Sequence, residues 1–508
     1  MKCFAALVTS AALIAAQPMF AQMGAPGTAP AGMPAVAGPL AAKYKADADK
    51  ILQAAMADND GYTALTYLCD HVGKRLSGTP QLNTAVEWGA DLMRKAGLQN
   101  VQVQPVMVPH WVRGNESGTI ITTGAGAVNK PLHMLGLGMS VGTPKEGVTA
   151  QVVFVPSFAA LDALPDDQVK GKIVVFNPGW HGYGVGSQYR TGGPSRAGAK
   201  GAVAVLVRSA TGLAMQIPHT GTLRYDEKSP KVPSAAISVE DALMIERLAK
   251  EGPVTVHLQM DAHMEADVKA GNVIGEIVGS EHPEQVVVLG GHIDSWDVGQ
   301  GAQDDGSGIM ATFEAVSLIH KLGLKPKRTI RIVFWVNEEN GGTGGRAYRK
   351  WIGDKIGDQV AAIEMDGGAE KPLGIGYGGF GGGGRGRGVA GAPPAPRTFD
   401  LNALPAEDKA SYATMQDIAA LLAPIGTDTV SPGGGGSDIG PVVADGVPAL
   451  SPRTVGMHYF DWHHTEADTL DKVDPDDFKR NTAMLSVVAY VLADMDGRLV
   501  GHKSALQE

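Results

Sequence analysis

The second half of the chain, from about Asn272, alternates short apolar runs with amphipathic stretches. Continuous apolar runs at 286–294, 328–336 and 360–366 predict strands that are buried on both faces of a sheet. Between 306 and 322, apolar residues recur at helical spacing, which predicts a helix. Strands separated by helices in this way predict an α/β fold in which helices cover both faces of a mixed, mainly parallel sheet.

The first half of the chain has two regions that differ in their pattern of apolar and polar residues. Residues Thr84 to Ala96 predict an amphipathic helix, and a strand is predicted to follow it. From about 126 to 266, short Val-rich runs are separated by Gly and Pro turns, which predicts a mostly β domain inserted into the larger fold. The larger domain is therefore predicted to consist of residues 43–125 and 267–508.

The N-terminus has the pattern of a targeting segment. Lys2 precedes an apolar run that ends in small residues near residue 21, as in a secretory signal peptide, so residues 1–21 predict export to the periplasm or the medium. That run is too short to span a bilayer, and no later run is long enough, so we expect no stable membrane anchor. Residues 22–42 are rich in Ala, Gly and Pro and predict a flexible leader, with order beginning near Lys43.

Charge and composition narrow the range of partners. A formal net charge of -10 argues against nucleic acid as the main partner, because phosphate binding needs clustered Lys and Arg. The Gly-rich segment at 376–397 contains arginines typical of RNA-binding repeats, but in an acidic chain it favours a surface loop. Cys69 is the single cysteine after the signal peptide and predicts a small buried apolar side chain. Asn115 opens a glycosylation sequon, which matters only in a cell that glycosylates such sites.

Acidic and histidine residues follow the predicted strands. In an open parallel sheet the ligand crevice lies beyond the carboxyl ends of the strands, so several segments can bring these side chains together. Taken singly, each residue has an ordinary structural explanation that needs no metal, such as a buried histidine, a turn residue or a pair of residues on the surface. Together, so many carboxylates would repel one another unless one or two divalent cations neutralised them. The sequence therefore predicts a metal site formed from His292, Asp294, Asp304, Glu338, Glu339, Asp366 and His464.

These residues lie in motifs that resemble a known family. The ordered set GGHIDSWDVGQGAQDDGSG, WVNEENGG, EMDGG and HHTEADTL is similar to the co-catalytic zinc exopeptidases, which include bacterial aminopeptidases, glutamate carboxypeptidases and the transferrin receptor. The likeness is greatest to the plasma glutamate carboxypeptidase branch of that family. It extends through KRLSGT at 74–79, VPHWVRGNES at 108–117, QYRTGG at 188–193 and PHTGT at 218–222, so it spans nearly the whole mature chain.

The resemblance implies a role for each residue of the predicted site. Two zinc ions per chain would be bridged by Asp304. One ion would also bind His292 and Asp366, and the other would bind Glu339 and His464, with His463 as the rival to His464. Asp294 would orient the imidazole of His292, and Glu338 would be the general base. The peptide between Asp304 and Asp305 would be cis.

The resemblance also implies features of the substrate cleft. The inserted domain would be a protease-associated domain that covers the cleft, and the glycine loop at 431–440 would line it. The candidates for substrate contact are Arg453, Arg190, Tyr189, Tyr459 and Phe460. The expected substrates are short peptides, above all dipeptides with both ends free, and a homodimer is compatible with this family. The Gly-rich segment at 376–397 is an addition relative to this branch of the family, and the resemblance does not predict how it affects access to the cleft.

Three other functions remain as alternatives. A zinc aminopeptidase would use the same chemistry at the other end of the peptide. A receptor-like protein of the same fold would bind without catalysis, although every ligand position here holds a competent residue. A single-zinc cyclase acting on N-terminal glutamine is disfavoured by the Asp304-Asp305 pair and by the long insertion.

Overall fold

A computed structural model describes residues 32–124, 126–378 and 399–503. The predicted signal peptide, residues 22–31 of the predicted leader and most of the Gly-rich segment lie outside the described residues. Within them, the strands are β1 Met33–Pro34, β2 Gln99–Val112, β3 Glu116–Ile121, β4 Asn129–Pro131, β5 Met134–Gly136, β6 Val148–Val155, β7 Ile173–Phe176, β8 Ala204–Arg208, β9 Ser234–Ile237, β10 Thr255–Met260, β11 His263–Ile277, β12 His282–His292, β13 Arg328–Trp335, β14 Gln359–Glu364, β15 Pro372–Tyr377, β16 Thr429–Pro432 and β17 Ala449–Thr454.

The α-helices of the described residues are α1 Pro39–Ala57, α2 Asp60–Tyr67, α3 Pro80–Lys95, α4 Phe158–Ala163, α5 Asp166–Val169, α6 Tyr183–Ala199, α7 Val239–Glu251, α8 Ser307–Lys321, α9 Thr343–Ile352, α10 Ala406–Ala419, α11 Gly440–Ala444, α12 Tyr459–Trp462 and α13 Pro475–Asp494. The helices predicted at Thr84 to Ala96 and at 306–322 are present as α3 and α8. The last long helix, α13, begins at a proline, and the Asp474 side chain accepts hydrogen bonds from the N–H groups of Asp476 and Asp477.

The larger domain is built on one mixed sheet with the order β1-β16-β15-β17-β14-β12-β13-β11-β2. Its centre is parallel, because β12 pairs in parallel with both β13 and β14, and β14 pairs in parallel with β17. Antiparallel strands β11 and β2 extend it on one side. The predicted α/β fold with a mixed sheet is confirmed, but four of the eight pairs among its described strands are antiparallel, so the sheet is parallel at its centre rather than mainly parallel.

Alternate residues of β12 pack against opposite layers of helices. Val287 and Leu289 are fully buried in the core that contains the apolar sides of α1, α8 and α13. Val286 and Val288 point to the other face, where Tyr348 of α9 packs against the sheet. This two-residue alternation explains why the strand is a continuous apolar run, since both of its faces are covered.

The inserted domain leaves the large sheet after β2 and rejoins it at β11. It has its own eight-stranded sheet, with the order β4-β3-β10-β6-β7-β8-β9-β5. Its first strand, β3, begins at Glu116, ten residues before the predicted boundary at 126, and β10 ends at Met260. Helices α6 and α7 pack on this sheet, which the prediction of a mostly β insertion does not include.

The N-terminal part of the described chain differs from the predicted leader. Residues 33–34 pair with Thr429 and Val430 of β16, and helix α1 begins at Pro39 rather than near Lys43. The carboxylate of Asp417 accepts hydrogen bonds from the N–H groups of Gly38, Leu40 and Ala41. A side chain nearly 400 residues away thus caps this helix, and such a cap leaves no local pattern in the sequence. None of the described helices has the length and apolar character needed to cross a bilayer.

Candidate metal centre

The predicted metal ligands lie where neighbouring parallel strands end. His292 is the last residue of β12 and pairs with Trp335, the last residue of β13. Glu338 and Glu339 lie three and four residues after the end of β13, and Asp366 lies two residues after the end of β14. Because these strand ends are in register, the side chains that follow them converge at one edge of the sheet.

Asp304 lies between two groups of side chains and presents one carboxylate oxygen to each. Its Oδ1 is 3.2 Å from Nε2 of His292, which is itself 3.7 Å from Oδ1 of Asp366. Its Oδ2 is 3.3 Å from Nε2 of His464, which is 3.1 Å from Oε2 of Glu339. His292, Asp304 and Asp366 form one group that could hold a cation, and Asp304 also belongs to a group with His463 and His464.

Several of the converging atoms are buried and have no hydrogen-bond partner. They are Nε2 of His292, Oδ2 of Asp304 and Oε1 of Glu339. An unsatisfied buried polar atom is costly, and three of them at one place indicate a ligand. Imidazole nitrogens and carboxylate oxygens are the donors that zinc prefers when protein ligands leave coordination positions free. The residues present therefore fit zinc.

The electrostatics of the site also fit a cation. Burial raises the pKa of Glu339 to about 8, and repulsion from Asp304 adds to the effect. Burial would lower the pKa of His292, but the neighbouring carboxylates of Asp304 and Asp366 outweigh burial and raise the pKa well above its usual value. A divalent cation would favour the carboxylate form of Glu339 and the neutral form of His292, because both forms are the ones that bind metal.

Asp294 acts on the site differently from its predicted role. Its backbone carbonyl, at 2.9 Å, contacts Nδ1 of His292, whereas its carboxylate oxygen is 3.9 Å from that nitrogen. The carboxylate instead accepts hydrogen bonds from the backbone N–H of Glu338 and from the Ser77 hydroxyl. The imidazole is therefore oriented by the Asp294 main chain, while the Asp294 side chain holds the loop that carries Glu338.

The turn that carries Asp304 is held from both sides. Asp468 accepts hydrogen bonds from the backbone N–H groups of Gln303 and Asp304, and burial raises the pKa of Asp468 to about 7. The Asp305 carboxylate accepts a hydrogen bond from the backbone N–H of His292. The peptide between Asp304 and Asp305 is cis, as the resemblance implies. Asp305 thus supports the strand end, and Asp304 alone of the pair faces the two groups.

Glu338 lies beside the site without belonging to either group. Burial raises the pKa of its carboxyl, the nearby His292 lowers it, and Asp366 raises it again. The Ser437 side chain, from the predicted glycine loop, also lowers the pKa of this carboxyl. A carboxylate next to the metal ligands with a raised pKa is suited to accept a proton and return it.

The predicted substrate contacts fall in different places. Tyr189 is buried in the core of the insertion, with its ring centroid 4.4 Å from that of Phe158, so it does not reach the site. Tyr459 is at the site, with its ring centroid 5.1 Å from that of His463, and burial, with Asp304 and Asp366 nearby, raises its pKa well above the usual value. Phe460 lies beside His463, with ring centroids 5.5 Å apart.

Both predicted arginines donate hydrogen bonds to the protein through their Nη atoms, while Nε of each is buried without a partner. Arg190 donates to the carbonyl of Thr220 at 3.0 Å and to the Tyr183 hydroxyl at 2.8 Å. Arg453 donates to the carbonyls of Pro432 and Gly433, and so holds the glycine loop. Arg190 lies near the ligands, with Nη1 3.4 Å from Nδ1 of His464, but as a supporting side chain.

Sequence reasoning missed the residues that the insertion contributes to the site. Thr220 and Thr222 contact His464 and Glu339, respectively. Both threonines belong to PHTGT, a segment noted for its resemblance but given no role. It also missed a buried acidic pair behind Glu338, in which Glu364 accepts hydrogen bonds from the backbone N–H groups of Asp438 and Ile439.

Comparison with known proteins assigns this fold and site to a class. Residues 272–489, which include every predicted metal ligand, match Peptidase family M28. Carboxypeptidase Q from Bos taurus is 39% identical over 444 residues, covering 87% of each chain. A crystal structure of a peptidase M28 precursor from Shewanella amazonensis has a TM-score of 0.78 and 31% identity, covering 90% of this chain and 98% of that one.

The chain belongs to peptidase family M28. Its similarity to carboxypeptidase Q confirms the resemblance found in the sequence and the predicted class, a zinc metallo-exopeptidase. A zinc aminopeptidase from Bacillus subtilis, with a TM-score of 0.61 and 20% identity over 86% of this chain and 95% of that one, shares the fold.

Proposed function

We propose that the chain is an exported two-zinc exopeptidase that hydrolyses short peptides, above all dipeptides with both ends free. The observation that carries the count of two zinc ions is the position of Asp304, whose two carboxylate oxygens face separate ligand groups. His292 and Asp366 would hold one ion with Asp304, and Glu339 and His464 would hold the other. A single-zinc site would not need a shared carboxylate between two groups.

The residues of the chain account for the rest of the reaction. When bound, the zinc ions would acidify a water molecule and polarise the scissile carbonyl. Glu338 would accept the proton of that water and then donate it to the leaving amine, which needs a carboxyl whose pKa lies above its ordinary value. The Asp294 carboxylate would keep Glu338 in place through its hydrogen bond to the Glu338 backbone.

Export and cleft coverage complete the proposal. The signal-like residues 1–21 support export to the periplasm or the medium. The insertion would act as a protease-associated domain, because its segment at 218–222 reaches the metal ligands and so lies at the cleft. A covered cleft has room for few residues, and each buried charged end of a peptide must find a partner. Short, unblocked peptides would be selected for these reasons.

A zinc aminopeptidase is the second candidate, and one observation favours it. A carboxypeptidase or dipeptidase must bind the carboxylate end of its substrate, and Arg190 and Arg453 were the predicted cations. Both already donate from an Nη nitrogen to backbone carbonyls, so only part of each guanidinium is left for a substrate carboxylate. An aminopeptidase does not need such a cation, since the substrate amine would pair with carboxylates of the metal centre.

A panel of one good dipeptide in four forms, assayed with zinc present, separates these functions. The forms are free, N-acetylated, C-terminally amidated and extended by several residues at the C-terminus. The proposal predicts that blocking either end sharply lowers kcat/KM, because polar groups of the site are left without partners. Equal cleavage of the acetylated form with loss of the amide would indicate a plain carboxypeptidase. Equal cleavage of the amide and the extended peptide from the N-terminus would indicate an aminopeptidase.

A further inference from the structure

One segment of the insertion contacts the metal centre directly. We call residues 218–222 the strap. The backbone N–H of Thr220 donates to the carbonyl of His464 at 3.0 Å, and the Thr220 carbonyl is 3.2 Å from Nδ1 of the same histidine. The Thr222 hydroxyl donates to the backbone carbonyl of Glu339 at 2.6 Å. The strap therefore holds both residues assigned to the second zinc ion.

The strap contacts only one of the two ligand groups. Among the hydrogen bonds of the described residues, none joins the strap to His292 or Asp366. The Nδ1 atom of His292 contacts the Asp294 carbonyl, which belongs to the larger domain. The insertion thus supports the second ligand group and not the first, which depends on the larger domain alone.

The Thr220 carbonyl also sets the chemical form of His464. A carbonyl only accepts hydrogen bonds, so Nδ1 of His464 carries a proton, and in the neutral imidazole that binds metal Nε2 is then left with its lone pair. That Nε2 atom is the one facing Asp304 and Glu339. Nη1 of Arg190 lies 3.4 Å from Nδ1 of His464, but both nitrogens are donors and cannot bond to each other. The Arg190 Nη1 group therefore donates to the Thr220 carbonyl instead. Partners of this kind fix the orientation and basicity of a metal-binding histidine.

The strap is itself firmly held. Thr220 is fully buried, and its hydroxyl donates to the carbonyl of Gly136 at 2.7 Å. The backbone N–H of His219 donates to the Ser209 hydroxyl. A side chain at Gly221 would lie 2.3 Å from the Arg190 guanidinium, so the strap packs against that group at contact distance. Such a segment can transmit the position of the insertion to the ligands.

We propose that the strap positions the ligands of the second zinc ion, so that the affinity for this ion, and not for the first, depends on Thr222 and Arg190. The inference rests on the proposed two-zinc function. Both are positioning residues, because they act through His464 and Glu339 and are not themselves zinc ligands. Loss of such a supporting contact typically lowers metal affinity by roughly 10- to 100-fold.

The test measures the two zinc affinities of the full-length protein by competition with a chelator. Thr222→Val removes the hydroxyl and keeps the shape, and it should weaken one zinc-binding step by about 10-fold or more while leaving the other unchanged. Thr222→Ser restores the hydroxyl and should restore the affinity. Thr191→Val is the matched control, because its hydroxyl bonds within helix α6 of the same insertion. Glu339→Gln identifies which step belongs to the second ion.

Arg190→Met provides a second variant that removes the donor to Thr220 and should weaken the same step, whether or not Thr222→Val folds. Unchanged affinities in folded Thr222→Val or Arg190→Met, or equal weakening of both steps, would overturn the role of the strap. Binding of fewer than two zinc ions by the unaltered protein would instead overturn the proposed function. The two failures are therefore distinguishable.

Discussion

The imidazole rings of His463 and His464 are stacked, with their centroids 3.5 Å apart and their planes 18° apart. Both rings direct Nε2 toward the same oxygen of Asp304, at 3.4 Å for His463 and 3.3 Å for His464. The two differ in their other partners. His464 also meets Glu339 and the Thr220 carbonyl, whereas His463 packs among aromatic rings, with its centroid 4.9 Å from that of Tyr183.

Replacing each histidine separately should distinguish their roles. His464→Gln should remove about one zinc ion per chain, because the second group loses the imidazole that meets both Asp304 and Glu339. His463→Phe keeps an aromatic ring in the stack and should retain both ions. Zinc content per chain, measured by atomic absorption on folded protein, checks this. Loss of zinc from His463→Phe with zinc retained in His464→Gln would reverse the assignment.

Glu338→Gln keeps the size of the side chain and its hydrogen bonds but removes the base. Turnover should fall by roughly 10² to 10⁴-fold, the typical contribution of general acid-base catalysis, while zinc content stays unchanged. Glu339→Gln is the matched comparison and should lose zinc instead. If Glu338→Gln loses zinc and Glu339→Gln keeps it, the two adjacent glutamates have exchanged roles.

His219 should make the stability of the insertion depend on pH. Burial, with repulsion from His464, lowers the pKa of His219 to about 3 in the folded protein. A lowered folded pKa means that the unfolded chain binds the proton more readily. Stability is therefore full above about pH 6.5, the ordinary value for histidine, and falls as the pH decreases below it.

The slope for one such group is at most about 1.4 kcal/mol per pH unit. Urea unfolding of the chelator-treated protein at pH 7.5 and pH 5.5 should show that His219→Gln loses less stability than the unaltered chain between these values. His181→Gln, at an exposed histidine, is the control and should behave like the unaltered chain. An identical pH dependence in His219→Gln and the unaltered chain would contradict the assignment of a neutral buried His219.

The sequence predicts the centre of the fold and of the site because both depend on local patterns. Apolar runs indicate β12, β13 and β14, and the residues after each strand must meet at one edge of a parallel sheet. His292, Glu339 and Asp366 could therefore be predicted to lie together before any distance was known. The bridging position of Asp304 came from the resemblance, since no strand ends near it.

The features that the sequence does not predict depend on contacts between distant segments, and such contacts leave no periodic pattern in the sequence. Asp417 caps helix α1 from nearly 400 residues away, so the chain is ordered before Lys43, where the sequence predicts a flexible leader. Thr220 and Thr222 reach the metal centre from the insertion, and nothing in PHTGT alone indicates which residues they contact. Tyr189 is a predicted substrate contact, but neighbouring residues of a helix point in different directions, and Tyr189 points into the core while Arg190 reaches His464.

The claim of a two-zinc peptidase is tested most directly by titrating zinc into chelator-treated protein while dipeptide hydrolysis is measured. The account predicts no activity without metal, recovery that is complete only at two zinc ions per chain, and largely retained structure throughout, because the sheet core does not contain the ions. Full activity at a measured metal content near zero, or saturation at one ion per chain, would contradict it.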